Sequence, residues 1–180
     1  MMKRSILILL IISCNLISAQ NFTLKSNSLK GQAENDLIFN GMGCVGGNIS
    51  PQLSWEGIPE NTKSFAITIH DPDAPTVSGW WHWVVFNIPS NVTELVADAG
   101  NIEKNIAPQE AIQSITDFGT YGYGGPCPPQ GDSPHQYIIT VYALDIDKIE
   151  LDKDASAAMV AFYLHQHTIQ KASLIFYSKR

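Results

Sequence analysis

Charge is what this sequence has least of. Asp, Glu, Lys and Arg make up 16% of its 180 residues, and the 17 acids outnumber the 11 bases for a formal net charge of −6. With so few Lys and Arg there is no basic stripe to follow a phosphate backbone, which argues against a nucleic-acid binder. An anionic ligand would have to be held by a few well-placed donors rather than by the field of the whole molecule. Long apolar runs are missing as well. The N-terminal run over residues 5–12 falls short of the roughly 20 residues a spanning helix needs, so no transmembrane anchor is expected. No internal repeat or low-complexity stretch divides the chain, and its length suits one domain.

Two chemical signatures are also absent. There is no Gly-x-Ser-x-Gly elbow to present a nucleophile and no His-Glu-x-x-His to hold a metal. Cysteine is scarce, with three residues, Cys14, Cys44 and Cys127. Cys44 and Cys127 form a candidate disulfide of the kind exported proteins use, or else remain two buried thiols; their spacing leaves both open.

What is present begins with a leader. Lys3 and Arg4 precede the apolar run, and Ile17, Ser18 and Ala19 offer a small-residue cleavage site before Gln20, so residues 1–19 read as a secretory signal and 20–180 as the mature domain. A lipid anchor on Cys14 is the alternative. Cleavage removes Lys3 and Arg4 and no acid, leaving the mature chain two charges more acidic than −6. The expected location is therefore outside the cytoplasm, periplasmic or secreted.

Beyond the leader, turn residues recur at short intervals, which predicts a mainly β domain. Residues 64–70 (SFAITIH) alternate Phe65, Ile67 and Ile69 against Ala66, Thr68 and His70; 80–88 and 135–144 form two further strands, rich in β-branched and aromatic residues. Weaker strands are expected at 22–26, 52–55 and 174–177. Residues 152–171 carry helix start and stop signals and predict one C-terminal helix before a final strand. Its face carrying Met159, Phe162, Tyr163 and Ile169 is read as covering the core. Residues 91–126 are the least regular and are expected to hold short helical turns and loops.

The costliest groups crowd into HDPDAPTVSGWWHW, residues 70–83. Side chains two apart on a strand share a face, so Trp80 projects with His82, and His135 with Tyr137. Asp71 and Asp73 sit just past the first strand, where Pro72 and Pro75 stiffen the turn. If the three strand ends meet, they build a pocket floored by Trp80, with His82 and His135 as donors, Tyr137 as a hydroxyl and the aspartates orienting the imidazoles. The loop YGYGGPCPPQGDSPH, 121–135, would close the rim. There Gly122, Gly124 and Gly125 could turn backbone N–H groups towards an anion while Pro126, Pro128 and Pro129 keep the loop stiff. Singly, each feature is an ordinary turn or core residue; jointly they describe a site.

These residues also resemble a family. DPDAP (71–75), GWWHWVVFNIP (79–89), YGGPCPPQGDSPHQYIITVYALD (123–145) and the upstream GCVGGNISPQLSWEGIP (43–59) are similar to the phosphatidylethanolamine-binding proteins, in their bacterial Raf-kinase-inhibitor-like branch. The resemblance implies a β-sandwich of Greek-key type. It also implies a small pocket that in relatives accepts phosphate, acetate, cacodylate or a phosphoethanolamine head group. By position in the motifs, Asp71, Trp80, His82, Pro129, His135 and Tyr137 correspond to its walls, with Asp73 just behind. Trp81 is a departure, standing where animal relatives carry a second histidine. No cofactor is implied, and the inhibitor or modulator role in the branch's name would require a protein partner the sequence does not identify.

Two other readings compete for the same residues. His, Asp and Tyr could serve a hydrolase as acid and base, though no nucleophile accompanies them. Asp71, Asp73, His82 and His135 could ligate a metal, though without a compact ligand motif.

Overall fold

The computed structural model describes residues 21–180; the leader 1–19 and the alternative anchor Cys14 lie outside the described residues. Ten strands and one helix follow in the order β1 (Thr23–Lys25), β2 (Asn40–Gly41), β3 (Cys44–Val45), β4 (Leu53–Glu56), β5 (Ser64–Asp71), β6 (Trp80–Pro89), β7 (Glu94–Leu95), β8 (Ile112–Gln113), β9 (His135–Leu144), α1 (Ala157–His167) and β10 (Thr168–Ser178). Five of them form the main sheet in the order β10-β9-β5-β6-β8, and β1-β4-β7 form a smaller sheet facing it. β2 and β3 make a separate hairpin.

The alternation of β5 divides its side chains between two cores. Phe65, Ile67 and Ile69 face the smaller sheet and pack with Phe22, Leu24, Leu53 and Trp55, whereas Ala66 faces the helix and packs with Val84, Phe86, Val160 and Leu164. Sheet, sheet and helix thus form three layers with β5 buried on both faces. Each fully buried Phe or Ile here contributes about 1.5–3 kcal/mol.

The register of β5 against β6 slips twice. Ile69 opposes Trp83 but His70 opposes Trp81, so His82 is an extra residue on β6, and a second slip falls between Phe65 and Ile67. Strict alternation would send Trp83 to the helix side; the bulge at His82 turns it into the sandwich core, where it is fully buried. At the second slip Asn87 takes a positive φ of 58° and ties down the loop before α1. Its amide donates to the Ile149 carbonyl at 3.0 Å and accepts from the Ile149 N–H at 2.8 Å.

The C-terminal helix is shorter than its sequence signals suggest. It begins after Ser156, whose hydroxyl accepts from the Met159 N–H at 3.2 Å, and residues 152–155 form a turn ahead of it. Its buried face is Ala157, Val160 and Leu164; of the face read from sequence only Tyr163 packs, partly buried, against that core, while Met159 and Phe162 are exposed at 48% and 59%. The smaller residues at 157, 160 and 164 suit close approach to the sheet. Ile169 belongs to β10, which starts at Thr168 and not near 174, because pairing along the length of β9 outweighs the helical character of 168–171. No helix forms in 91–126, which consists of turns and bends around the two-residue strands β7 and β8. Among the described residues no helix is long and apolar enough to cross a membrane. Replacing the cap, Ser156→Ala, is expected to lower stability by about 1 kcal/mol, read as a shift in the urea midpoint at constant m.

Candidate functional site

Because β6, β5 and β9 are antiparallel neighbours, the end of β5 meets the starts of β6 and β9 at one edge of the sheet. A cavity of about 160 Å³ opens there. That is smaller than the roughly 300–1,000 Å³ of drug-sized ligand sites. Of the residues expected from sequence, Asp71, Trp80, His82, Pro129, His135 and Tyr137 line it.

His135 is held by two carboxylates. Its Nδ1 lies 2.9 Å from Asp71 Oδ2, and its Nε2 lies 3.5 Å from Asp132 Oδ2. Asp71, 3% exposed, also accepts from the Asp73 N–H at 2.8 Å through Oδ1, so both its oxygens are engaged.

His82 is held by backbone. Its Nδ1–H donates to the Gly124 carbonyl at 2.7 Å, and the Gly124 N–H donates back to the His82 carbonyl at 2.8 Å. The ring stands edge-on to Tyr137 and to Phe118, at 5.0 and 5.3 Å between centroids. Burial is the main influence on it and pushes the imidazole down to about 4; the Gly124 bond and the Asp71 charge offset only part of this. At neutral pH His82 is therefore uncharged.

Tyr137 stacks on Phe176 and is fully buried, and its hydroxyl, near the Asp71 carboxylate, makes no well-formed hydrogen bond among the described residues. Burial first, and the Asp71 carboxylate second, hold the phenol above its usual range, so it stays a donor. The indole Nε1 of Trp80 is likewise buried and unpaired.

Two expected residues stand outside the cavity wall. Asp73 accepts from the Gln136 N–H at 2.8 Å and pins the β5–β6 loop to the start of β9. Gly125 gives its N–H to Asn48 Oδ1 at 2.8 Å, and the N–H groups of Tyr123 and Gly124 are spent on Gly100 and His82. The glycines do not offer these amides to a ligand. Gly125 is needed for another reason: a Cβ there would run into the backbone of Leu37 and Phe39.

Sequence reasoning missed part of the wall. Phe118 covers the site, stacked on Phe39 at 4.4 Å and edge-on to Trp80 at 5.5 Å. Its neighbour Asp117 fixes it by accepting from the Trp81 N–H at 2.8 Å. Phe118 lies in an aperiodic stretch where no strand or helix pattern marks it. Met42, in the β2–β3 turn with φ of 51°, is brought in by the Cys44–Cys127 disulfide, whose Cα atoms are 6.0 Å apart. Cys127 itself lines the cavity. Arg180 Nη1 donates to the Met42 carbonyl at 3.2 Å and rests against both sulfurs at 3.3 and 3.4 Å. The open choice between bridge and thiols is resolved as a bridge.

The remaining loop, 72–79, contributes Ala74, Pro75 and Thr76. Thr76 gives its hydroxyl to the Gly79 carbonyl, and His70 Nε2 meets the Ser78 carbonyl at 2.9 Å from the helix side, where its ring lies tilted against Trp81 at 4.3 Å between centroids. Trp81 therefore points away from the cavity. The aspartates and histidines raised as metal ligands are disposed differently: among the described residues no three His, Cys, Asp or Glu side chains converge to hold an ion.

A two-sheet β domain with a small, partly polar cavity at the ends of three adjacent strands defines a class of β-sandwich. Residues 27–179 match the family described as phosphatidylethanolamine-binding protein. The chain is 49% identical to the UPF0098 protein YbcL of Escherichia coli K12 over 158 residues, which is 87% of this chain and 86% of that one. It is 50% identical to the UPF0098 protein YbhB of the same organism over 137 residues, 76% and 85% of the two chains. The crystal structure of E. coli YbcL, described as a new member of the mammalian PEBP family, superposes with a TM-score of 0.87 at 47% identity, over 88% of this chain and 98% of that one. The protein belongs to the phosphatidylethanolamine-binding protein family.

Proposed function

We propose that the protein binds a small anion, phosphate or the phosphate of a phosphoethanolamine head group, in the cavity between Trp80, His82 and Tyr137. The observation that carries this is the Tyr137 hydroxyl. A buried donor with no well-formed partner costs up to about 1–3 kcal/mol, and an oxyanion in the cavity that Tyr137 lines would give it a better acceptor than the already engaged Asp71 carboxylate. Binding is favoured over hydrolysis because Thr76, the Ser or Thr hydroxyl in the wall, is committed to the Gly79 carbonyl and is no free nucleophile. The leader-like N-terminus and the disulfide support action in an oxidising compartment outside the cytoplasm. A role as modulator of a protein partner would use the rim loops that surround the cavity.

The test is calorimetric titration with phosphate and O-phosphoethanolamine, comparing the wild type with Tyr137→Phe. The variant keeps the stacked ring and loses only a poorly paired hydroxyl, so its melting temperature should hold or rise while affinity falls about tenfold, or ~1.4 kcal/mol. Equal affinity in the two proteins, or none in the wild type at millimolar ligand, would defeat the proposal. Turnover of a chromogenic phosphate, lost on His82→Ala, would instead favour the hydrolase.

A further inference from the structure

Anion sites are usually furnished with Lys, Arg or free backbone N–H groups. This cavity has none of the first two in its wall, and the amides of residues 123–125 are already spent. What it presents are two neutral donors, the Tyr137 phenol and the Trp80 indole, the carboxylate-flanked His135, and His82, whose Nδ1–H is fixed on the Gly124 carbonyl. That bond sets the tautomer: with the proton on Nδ1, a neutral ring carries a lone pair on Nε2. The hydrogen bond resolved on the ring is the one at Nδ1, with the Gly125 backbone a further polar neighbour of the ring. A fully ionised oxyanion beside Tyr137 would accept from the phenol and then set its own lone pairs against that of Nε2.

We infer that the site recognises a protonated oxyacid, with one ligand oxygen accepting from Tyr137 and another sharing a proton with His82 Nε2. It therefore prefers phosphomonoesters and inorganic phosphate, which carry a P–OH, to phosphodiesters and sulfate, which do not. This rests on the anion-binding reading and adds the chemical class. An intact phospholipid, a phosphodiester, is then a poorer ligand than its free phosphorylated head group.

The groups facing His82 support the assignment. Asp71 on β5 and Tyr137 on β9 approach the ring, and neither can supply a cation. His135, the other imidazole of the wall, has both nitrogens turned to carboxylates, Asp71 and Asp132. His70 lies across the sheet against Trp81, and its charge would only lower the basicity of His82. Burial keeps His82 unprotonated down to about pH 4, so the shared proton comes with the ligand or is drawn from solvent on binding.

Titrations with methyl phosphate, dimethyl phosphate, phosphate and sulfate separate these cases. Methyl phosphate, whose second pKa is about 6, should bind with constant affinity from about pH 4.5 to 5.5 and weaken above it. Sulfate and dimethyl phosphate should bind at least ~10-fold more weakly at pH 5.5. Where they do bind, each should take up about one proton, read from the dependence of the heat on buffer ionisation, and weaken up to ~10-fold per pH unit. Sulfate and dimethyl phosphate equal to methyl phosphate, with no proton uptake, would overturn the inference and leave the anion site standing. No binding of any of the four between pH 4.5 and 7.5 would overturn the anion site itself. Imidazole ¹⁵N NMR reads the ligand-free protein directly: at pH 7 His82 should show Nδ1 protonated and Nε2 bare, and a ring protonated at both nitrogens would refute the assignment.

Discussion

The double variant Cys44→Ala/Cys127→Ala should lose about 4 kcal/mol of folding stability. The two cysteines are 83 residues apart, so the bridge closes a loop that spans nearly half the chain. In the chain-entropy account a closure of that length removes roughly 4–5 kcal/mol of freedom from the unfolded state. The native side should add little strain relief, since the Cα separation of 6.0 Å lies within the usual range. Replacing both residues avoids leaving an unpaired thiol. Urea unfolding of the two proteins gives the difference, and a loss below about 1 kcal/mol would show that the unfolded chain is already compact between these positions. Because the bridge draws the Met42 turn over the cavity, the variant should also bind head-group ligands more weakly.

Acidification should destabilise the protein through His82. In the unfolded chain the imidazole has its ordinary value near 6.5, whereas in the folded chain burial holds it down to about 4. Between those values the unfolded state carries a proton the folded state refuses. Stability from this group is therefore complete above about pH 6.5, falls as pH drops, and levels off below about 4. The gap corresponds to about 3 kcal/mol. Carboxylates titrate in the same range, so the contribution is isolated by comparing the wild type with His82→Gln, whose amide can still donate to the Gly124 carbonyl. The pH 7 to pH 4 loss should be smaller in the variant by about that amount, and identical pH profiles would mean the ring is not excluded from water. Saturating phosphate should blunt the wild-type loss, since a bound anion favours the protonated ring.

Much of this arrangement is legible in the sequence because alternation fixes which side chains share a face. β9 runs from His135 to Leu144 as its alternation predicts, and His135 and Tyr137 reach the cavity together. Asp71, Trp80 and His82 converge with them because their strands are neighbours, a relation the turn chemistry of 71–79 already suggests. The parts that were not legible depend on contacts between distant segments. The bulge at His82 exists only against β5, so nothing in WWHW announces that Trp83 turns inward beside His82. Phe118 is placed by Asp117 reaching across to Trp81, and Met42 by the Cys44–Cys127 bond, which ties its turn to a loop 83 residues away. The depressed basicity of His82 is likewise invisible in the sequence, since enclosure belongs to the assembled site and not to the residue.

The two kinds of support under the cavity have different tolerances. Its floor belongs to three strands whose other residues form the sandwich core, while its rim is made of loops at 42–44, 72–79, 117–118 and 127–134. Loop substitutions can alter the shape and reach of the opening without disturbing the sheet, whereas any change that shifts β5 relative to β6 or β9 moves Asp71, His82 and Tyr137 apart at once. Members of the family should therefore diversify their ligands and partners through the rim, and selection experiments seeking new specificities should randomise those loops while leaving the strand ends fixed.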